Sequence, residues 1–394
     1  MSLRSRIFLL ALLVAAPAAL AGGAADPGVT KDRILIGSSG PLTGDAAGAG
    51  AVLRGADAYF KYVNARGGVD GRRLVFRYLD DAGDLAQAEE NIRALVEDER
   101  VFALFSVVGT DANLAVRAYT SGLRVPLVFS ATGATALGRD PYAIGYAPPY
   151  AAEGAVYARH VLASNGKRAE VAVLYQADDY GKDLLAGLRK GLGASGKLIA
   201  KAVEYDPLTT DVRPRVAELR ATGANTLMLF TSGPFAIEAV AHATRLAWKP
   251  QLYVADAASA PALMRRMPQA TAQRAVSISF VKDPAAWAGD PGAALAGRIV
   301  TRYAPGAPRD RFVVAGMAAA YSLVDALKKA GKTPTRASLM RAVTHMNEAS
   351  NPFLLPGMRV RTTPTTRFPI SQVALQRWRN GRWARFGGLQ PASP

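Results

Sequence analysis

The chain has 394 residues, a length that favours two domains over one ordinary core. Half of the residues are hydrophobic, enough for a large core, and 48 basic residues against 31 acidic ones give a formal net charge of +17. The basic residues are scattered without a dense block, and the nearest clusters are at 72–73, 265–266 and 377–385, so the charge favours an arginine-rich composition and no nucleic-acid partner is expected.

The first 21 residues have the features of a secretory signal peptide. Arg4 and Arg6 give a positive start, residues 7–16 are uninterruptedly apolar, and residues 19–21 have the small-x-small form of a cleavage site. The alternatives are a buried helix and a membrane anchor, but the run is too short to span a membrane stably. We therefore expect export to the periplasm with cleavage near Ala21. The chain has no cysteine to carry a lipid, so a lipoprotein is not expected.

From residue 34 onward, apolar strand-like runs alternate with helix-like segments. Strands are predicted at 34–38, 73–79, 101–108, 125–130, 171–175, 197–205, 226–231 and 251–255, and helices at 55–64, 87–97, 112–121, 182–192, 212–221 and 235–246. Repeated strand–helix units indicate the α/β class, with parallel sheets covered by helices on both faces. Ligands bind such sheets at the carboxyl ends of the strands, so function is expected there.

Nine short stretches resemble one family. They are ILIGSSGPLTG (34–44), GADAYFKYVN (55–64), GGVDG (67–71), YLDDA (78–82), LVED (95–98), VGT (108–110), VPLVFS (125–130), DDYG (178–181) and AWKP (247–250). In register from about residue 32 to the C-terminus, the chain resembles the type I periplasmic binding proteins, in the branch that serves branched-chain amino acid transporters.

The resemblance implies an α/β fold of two Rossmann-like lobes joined by three crossings, with a ligand cleft between them. Lobe I is expected over 29–148 and 279–351, and lobe II over 149–278 and 352–394. Residues 144–150 are predicted as the first crossing, and 276–280 should return the chain to lobe I. Residues 312–329 have the spacing of a core helix, and 371–377 with the Asn380-Gly381 turn predict a hairpin that finishes lobe II.

Motifs for catalysis are poor. The GLGASG stretch at 191–196 matches a dinucleotide pattern, but it follows a helix and precedes a strand, the reverse of the order that phosphate binding needs. His160, His242 and His345 are far apart and form no metal-ligand pattern. We expect no catalytic residue, no metal and no cofactor.

Two loops of lobe I have the groups that hold a carboxylate. Thr110 and the Ala131-Thr132-Gly133 segment each follow a strand, where hydroxyl and backbone N–H groups can bind an anion, and Gly133 permits close approach of the backbone. The resemblance implies that these loops grip the ligand's head group. The alternative for both threonines is helix capping, which is compatible with binding.

Three further residues are candidates in or beside lobe II. Tyr180 matches the tyrosine that closes on the ligand in the family. The alternative is that it is a half-buried aromatic at the start of a helix. Tyr150 comes just after the first crossing. Its side chain either reaches the cleft from the rim or only packs in the hinge. Ser232 ends a predicted strand.

Asp256 is the candidate partner for a ligand ammonium, which needs a carboxylate in a closed cleft. The family's acid stands one place later, which puts an amino acid ligand in doubt, and Asp256 as a cap for the turn before the Ala260 helix is the alternative. The 45–51 loop has small side chains where other family members carry a large aromatic side chain. This leaves space for a bulkier ligand, such as an aromatic acid.

These features predict a monomeric periplasmic component of an ABC importer. Its ligand would be a small carboxylate, and its membrane partner the transporter's permease subunits. A ligand sensor on the same lobes is the alternative, and an exported hydrolase is a weaker one because no nucleophile and base are identifiable.

Overall fold

The computed structural model describes residues 26–208 and 211–392. The predicted signal peptide, residues 1–21, lies outside the described residues. Two separate sheets dominate the described part of the chain, and each is covered by helices.

The first sheet is parallel, with strand order β2-β1-β3-β4-β5. Its strands are β1 (Arg33–Gly40), β2 (Arg73–Asp80), β3 (Ala103–Phe105), β4 (Leu127–Ser130) and β5 (Ala143–Gly145). The helices that belong with it are α1 (Ala51–Asn64), α2 (Leu85–Glu97), α3 (Thr110–Gly122), and, later in the chain, Pro291–Tyr303, Arg311–Ala330 and Arg336–Val343. This body corresponds to lobe I.

The second sheet has strand order β14-β13-β10-β9-β8-β6-β7, and it is parallel except at β13, which runs antiparallel to both of its neighbours, β10 and β14. Its strands are β6 (Val171–Gln176), β7 (Ile199–Tyr205), β8 (Thr226–Phe230), β9 (Gln251–Val254), β10 (Val276–Ser279), β13 (Gln372–Arg379) and β14 (Arg382–Pro391). Its helices are α4 (Tyr150–Asn165), α5 (Asp179–Leu192), α6 (Arg213–Arg220), α7 (Gly233–Arg245), α8 (Pro261–Arg266) and α9 (Gln269–Ala272). This body corresponds to lobe II.

The remaining elements follow β10. They are α10 (Pro291–Tyr303), α11 (Arg311–Ala330), α12 (Arg336–Val343), β11 (Asn347–Glu348) and β12 (Val360–Arg361). Helices α10 and α11 both pack on α1, and β11 pairs with β12. The two α/β bodies confirm the predicted fold class.

The connections between the sheets differ in detail from the prediction. Residues 276–279 do not return the chain to lobe I, because they form β10 inside the second sheet. The return follows directly, where Val281 pairs antiparallel with Leu354. The predicted strand at 101–108 also shortens to β3, since Ser106 has a left-handed backbone (φ +55°) that ends regular extension.

The stretch before β13 lies with lobe I, although the predicted boundary assigned 352–394 to lobe II. The amide of Gly145 at the edge of the first sheet donates to the carbonyl of Arg367. Phe368 packs into the core of lobe I, and its ring occupies the space that a side chain at Gly145 would fill. The final hairpin is as predicted, with Asn380 (φ +51°) and Gly381 (φ +77°) forming the turn between β13 and β14.

Helices α1 and α11 cross at two glycines. A Cβ on Gly55 would overlap the carbonyl oxygen of Val313, and one on Gly316 would overlap that of Val52. We expect Gly55→Ala to lower the free energy of unfolding by about 1–3 kcal/mol, because the helices must separate. Gly297→Ala in α10 meets no atom within 4 Å, so it should raise stability by about 0.5–1 kcal/mol. Urea unfolding of both variants tests this, and shifts of the same sign would refute it.

Candidate ligand-binding site

Four of the predicted residues meet where the two lobes face each other. The hydroxyls of Thr110 and Thr132 lie 3.0 Å apart, and the Tyr150 hydroxyl lies 3.2 and 3.3 Å from them respectively. The Tyr150 ring packs edge-on against Tyr180, with centroids 4.9 Å apart. All four side chains are buried or partly buried. The cluster joins two loops of lobe I to the first turns of α4 and α5.

The topology of the first sheet brings the two threonines together. Thr110 begins α3 just after β3, and Thr132 follows β4, the next strand in the parallel sheet. The turn into α3 needs Gly109, whose φ of +104° suits glycine. Ser106 and Phe129, each at φ +55°, precede the two loops. Such left-handed non-glycine residues are costly and concentrate at binding sites.

Helix capping does not account for Thr110. The N-cap of α3 is Gly109, and it has no side-chain cap. Thr132 has a local role as well, since its hydroxyl lies 3.2 Å from the amide of Ala134, which donates to it. Ala131 contributes backbone only, and its amide donates to Val107 in the neighbouring loop.

Gly133 serves the crossing between the lobes. Its carbonyl accepts the amide of Tyr150 at 2.9 Å, and a Cβ at this position would overlap the carbonyl of Pro148. The sequence predicted that a glycine here lets the backbone approach a ligand. In the structure the close approach at Gly133 is to Pro148 and Tyr150 of the crossing. The absence of a side chain seats Tyr150 against the two threonines.

Ser232 directly follows Thr231 in the chain, and the backbone of Thr231 contacts the cluster. The Tyr180 hydroxyl donates to the carbonyl of Thr231 at 3.1 Å, while the Ser232 amide donates to the hydroxyl of Tyr205. The Thr231 hydroxyl is fully buried and has no hydrogen-bond partner among the described residues. Thr231 was not singled out from the sequence, although its backbone carbonyl contacts the cluster directly.

The Asp256 side chain does not cap the turn before α8, because the amide and hydroxyl of Ser259 in that turn both donate to the backbone carbonyl of Asp256. The carboxylate instead accepts from the guanidinium of Arg311, with Nη1 2.6 Å from Oδ1. Arg311 is 2% exposed and begins α11 of lobe I, so this ion pair joins the lobes. Sequence reasoning missed Arg311, which stands 55 positions away.

Glu153 is a second functional candidate that the sequence did not reveal. It is 1% exposed on α4, and its Oε1 accepts from the Tyr157 hydroxyl and the Asp256 amide, each at 2.7 Å. Burial, reinforced by the charge of Asp256, raises the pKa of Glu153 to about 8. The available signal was its position: Tyr150, Glu153 and Tyr157 share one face of α4, a face that is otherwise apolar.

Residues 33–382 match the model of the periplasmic binding protein family. The chain belongs to the periplasmic binding protein family. Among curated members, a Leu/Ile/Val-binding protein homolog from Brucella melitensis is 31% identical over 208 residues, which are 48% of this chain and 52% of that protein. The chain thus spans about half the length of the curated relatives it matches first.

Solved structures of binding proteins share the whole fold. A branched chain amino acid ABC transporter protein from Thermus thermophilus with bound valine has a TM-score of 0.81 at 19% identity, covering 92% of this chain and 97% of its own. A solute binding protein from Rhodopseudomonas palustris in complex with 3,4-dihydroxybenzoic acid has a TM-score of 0.75 at 19% identity, covering 92% and 98%. Both likenesses establish the type I fold.

Other features of this binding protein lie outside the cluster. A cavity of about 350 Å³ is lined by the 284–289 loop and by α10 and α11, and none of the eight predicted residues lines it. Among residues 26–208 and 211–392, no group of three or more His, Asp or Glu side chains is placed to hold a metal ion. In the same ranges no helix is long and apolar enough to cross a membrane.

Proposed function

We propose that this periplasmic binding protein captures a small carboxylate-bearing ligand between its lobes and passes it to the permease subunits of an ABC importer. The observation that carries the proposal is the group of three hydroxyls, from Thr110, Thr132 and Tyr150, between the strand ends of lobe I and the first turn of α4. Hydroxyl donors beside the N-terminus of α3 favour an anion, because the helix dipole is positive there.

Contacts across the lobes support capture by closure. The amide of Thr135 in lobe I donates to the Asp183 carboxylate in α5 of lobe II at 2.7 Å. The ion pair between Arg311 and Asp256 also joins the lobes, but through other elements: α11 of lobe I and the segment after β9 of lobe II. Contacts that form only when the lobes meet are what a hinged binding protein needs in order to trap its ligand. The proposal includes export with cleavage near Ala21, a monomer, and binding without chemical conversion.

The ligands named for the related proteins indicate a ligand class for this chain. The proteins named above are described with leucine, isoleucine, valine or 3,4-dihydroxybenzoic acid. Each of these molecules combines one carboxylate with a small hydrophobic or aromatic body. We extend that shared chemistry to this chain: a hydrophobic amino acid, an aromatic acid or another organic acid, bound one-to-one by the same hydroxyls.

Thr132→Ala should weaken binding about tenfold to a hundredfold, because a hydrogen bond to a charged group contributes roughly 1.5–3 kcal/mol. A thermal-shift screen of hydrophobic amino acids, short fatty acids and benzoates would find a ligand, and calorimetry would give its affinity. Thr301→Ala, on the exposed face of α10, is the matched control. Equal affinities in wild type and Thr132→Ala would contradict the proposed grip, and recovery of an altered ligand would contradict pure binding.

A further inference from the structure

On the lobe II side of the cluster two acids, Glu153 and Asp256, meet one guanidinium that comes from lobe I. Glu153 and Asp256 approach each other closely enough for the Glu153 carboxyl to accept the amide of Asp256. Arg311 reaches them from lobe I and is almost fully buried. Charges removed from water must be balanced locally, so the pairing of these three groups limits which ligand charges the cleft accepts.

The charge of Asp256 is already balanced by the protein. Nη1 of Arg311 donates to the Asp256 carboxylate, and Nη2 donates to the backbone carbonyl of the same residue at 2.7 Å and to the hydroxyl of Ser259. A ligand ammonium that bound Asp256 would have to displace this guanidinium. Arg311 would then remain buried without its counter-charge, which is strongly unfavourable.

Glu153 does not replace Asp256 as a partner for a cation. None of the ion pairs between described residues includes it. Its Oε1 is occupied by two neutral donors, and burial beside Asp256 favours the protonated, uncharged acid. A protonated carboxyl offers a further hydrogen-bond donor from its other oxygen, which suits an oxygen of the ligand and opposes an ammonium.

The rest of the cluster also favours oxygen atoms. Thr110, Thr132 and Tyr150 supply hydroxyls, and α3 supplies its N-terminus. Asp111 and Asp179, in the first turns of α3 and α5, are exposed to water, where solvent and salt weaken their attraction for a cation.

Resting on the proposed function, we infer that the ligand is a carboxylic acid without an α-ammonium group, and that Arg311 sets this preference by occupying the carboxylate of Asp256. The site thereby excludes amino acids through a positive charge of its own. An acid of the same hydrocarbon shape meets no such charge conflict, so it binds without displacing any protein group.

Matched ligand pairs test the ligand class. Calorimetry would compare 4-methylpentanoate with L-leucine, and 3-phenylpropanoate with L-phenylalanine, since the members of each pair differ only in the ammonium. We expect the deaminated acid of at least one pair to bind at least tenfold more tightly. Tighter binding of the amino acids would overturn the inference and leave the proposed function standing. Binding of no member of either pair, and of none of the screened fatty acids and benzoates, at millimolar concentration would overturn both.

Two variants test the role of Arg311. In Arg311→Gln the carboxylate of Asp256 is unpaired, so the affinity ratio should shift at least tenfold toward the amino acid. In Asp256→Asn/Arg311→Gln no charge remains at the pair, and the ratio should return toward that of the wild type. An unshifted ratio in folded Arg311→Gln, or amino acid preference in the double variant, would refute the role of Arg311. If the single variant does not fold, amino acid preference in the double variant still refutes the role of Arg311.

Discussion

Replacing Trp383 by alanine should lower the free energy of unfolding by about 3–5 kcal/mol, the usual range for removing a large aromatic side chain from a core. Trp383 on β14 is 1% exposed and stands directly opposite Trp378 on β13. The two rings pack edge to face with centroids 5.2 Å apart. Both rings lie in the apolar core of lobe II, so they anchor the final hairpin to that lobe.

The polar edge of the Trp383 ring adds to the effect. Its indole N–H donates to the carbonyl of Ser259 at 2.8 Å, and the hydroxyl of Ser259 accepts from Arg311. Alanine would leave that buried carbonyl without this donor, which adds a desolvation cost to the cavity. Trp383→Phe, which keeps an aromatic ring and loses only the N–H, should be less damaging than alanine.

Urea unfolding followed by circular dichroism measures the difference. Leu208→Ala is the control, because Leu208 is 88% exposed and its truncation should change stability by less than about 0.5 kcal/mol. A loss below 1 kcal/mol for Trp383→Ala would show that the hairpin contributes little to lobe II.

The alternation of strands and helices was readable from the sequence because apolar periodicity reports which residues are buried. That is why the parallel sheets, and with them the nearness of Thr110 and Thr132 at neighbouring strand ends, follow from local pattern, whereas the two-lobe cleft and the place of Tyr180 in it came from the resemblance to the periplasmic binding proteins. Parallel strands align their carboxyl ends by construction. The prediction therefore required no knowledge of side-chain contacts.

The charges of the site were not readable in the same way. Arg311 reaches Asp256 across 55 positions and from the other lobe, and Glu153 meets Asp256 across 103. Nothing in the local pattern of a single sequence pairs such distant residues. The same limit explains Phe368: its apolar character predicts burial, but only the space left beside Gly145 determines which lobe buries it.

The stabilising contribution of Glu153 should fall as the pH rises from about 5 to 8, and Glu153→Gln should abolish that fall. The ordinary pKa of a glutamate is 4.5, and burial with the nearby charge of Asp256 raises that of Glu153 to about 8 in the folded chain. Between these values the folded protein holds a proton that the unfolded chain has released. The contribution is complete below about pH 4.5 and is lost as the pH rises through 8.

For one such proton, the free energy of unfolding falls by up to about 1.4 kcal/mol per pH unit, so its total loss between these pKa values is on the order of a few kcal/mol. Glutamine has the same shape, carries no charge and keeps an oxygen that accepts from Tyr157 and from the Asp256 amide. Glu153→Gln should therefore gain stability relative to the wild type as the pH rises. Glu348, whose pKa burial raises to about 7, acts in the same direction but is present in both proteins.

The informative quantity is the difference between the two unfolding curves at each pH, because the titrations of groups that do not interact with Glu153 cancel in it. Urea unfolding at pH 5, 6, 7, 8 and 9 should give a difference that favours Glu153→Gln progressively and levels off above pH 8. Glu90→Gln, on the exposed face of α2, should show no such trend. A difference independent of pH would mean that Glu153 is ionised in the folded protein. That result would also remove its neutral, donating role in the cleft, since a buried carboxylate there would attract an ammonium.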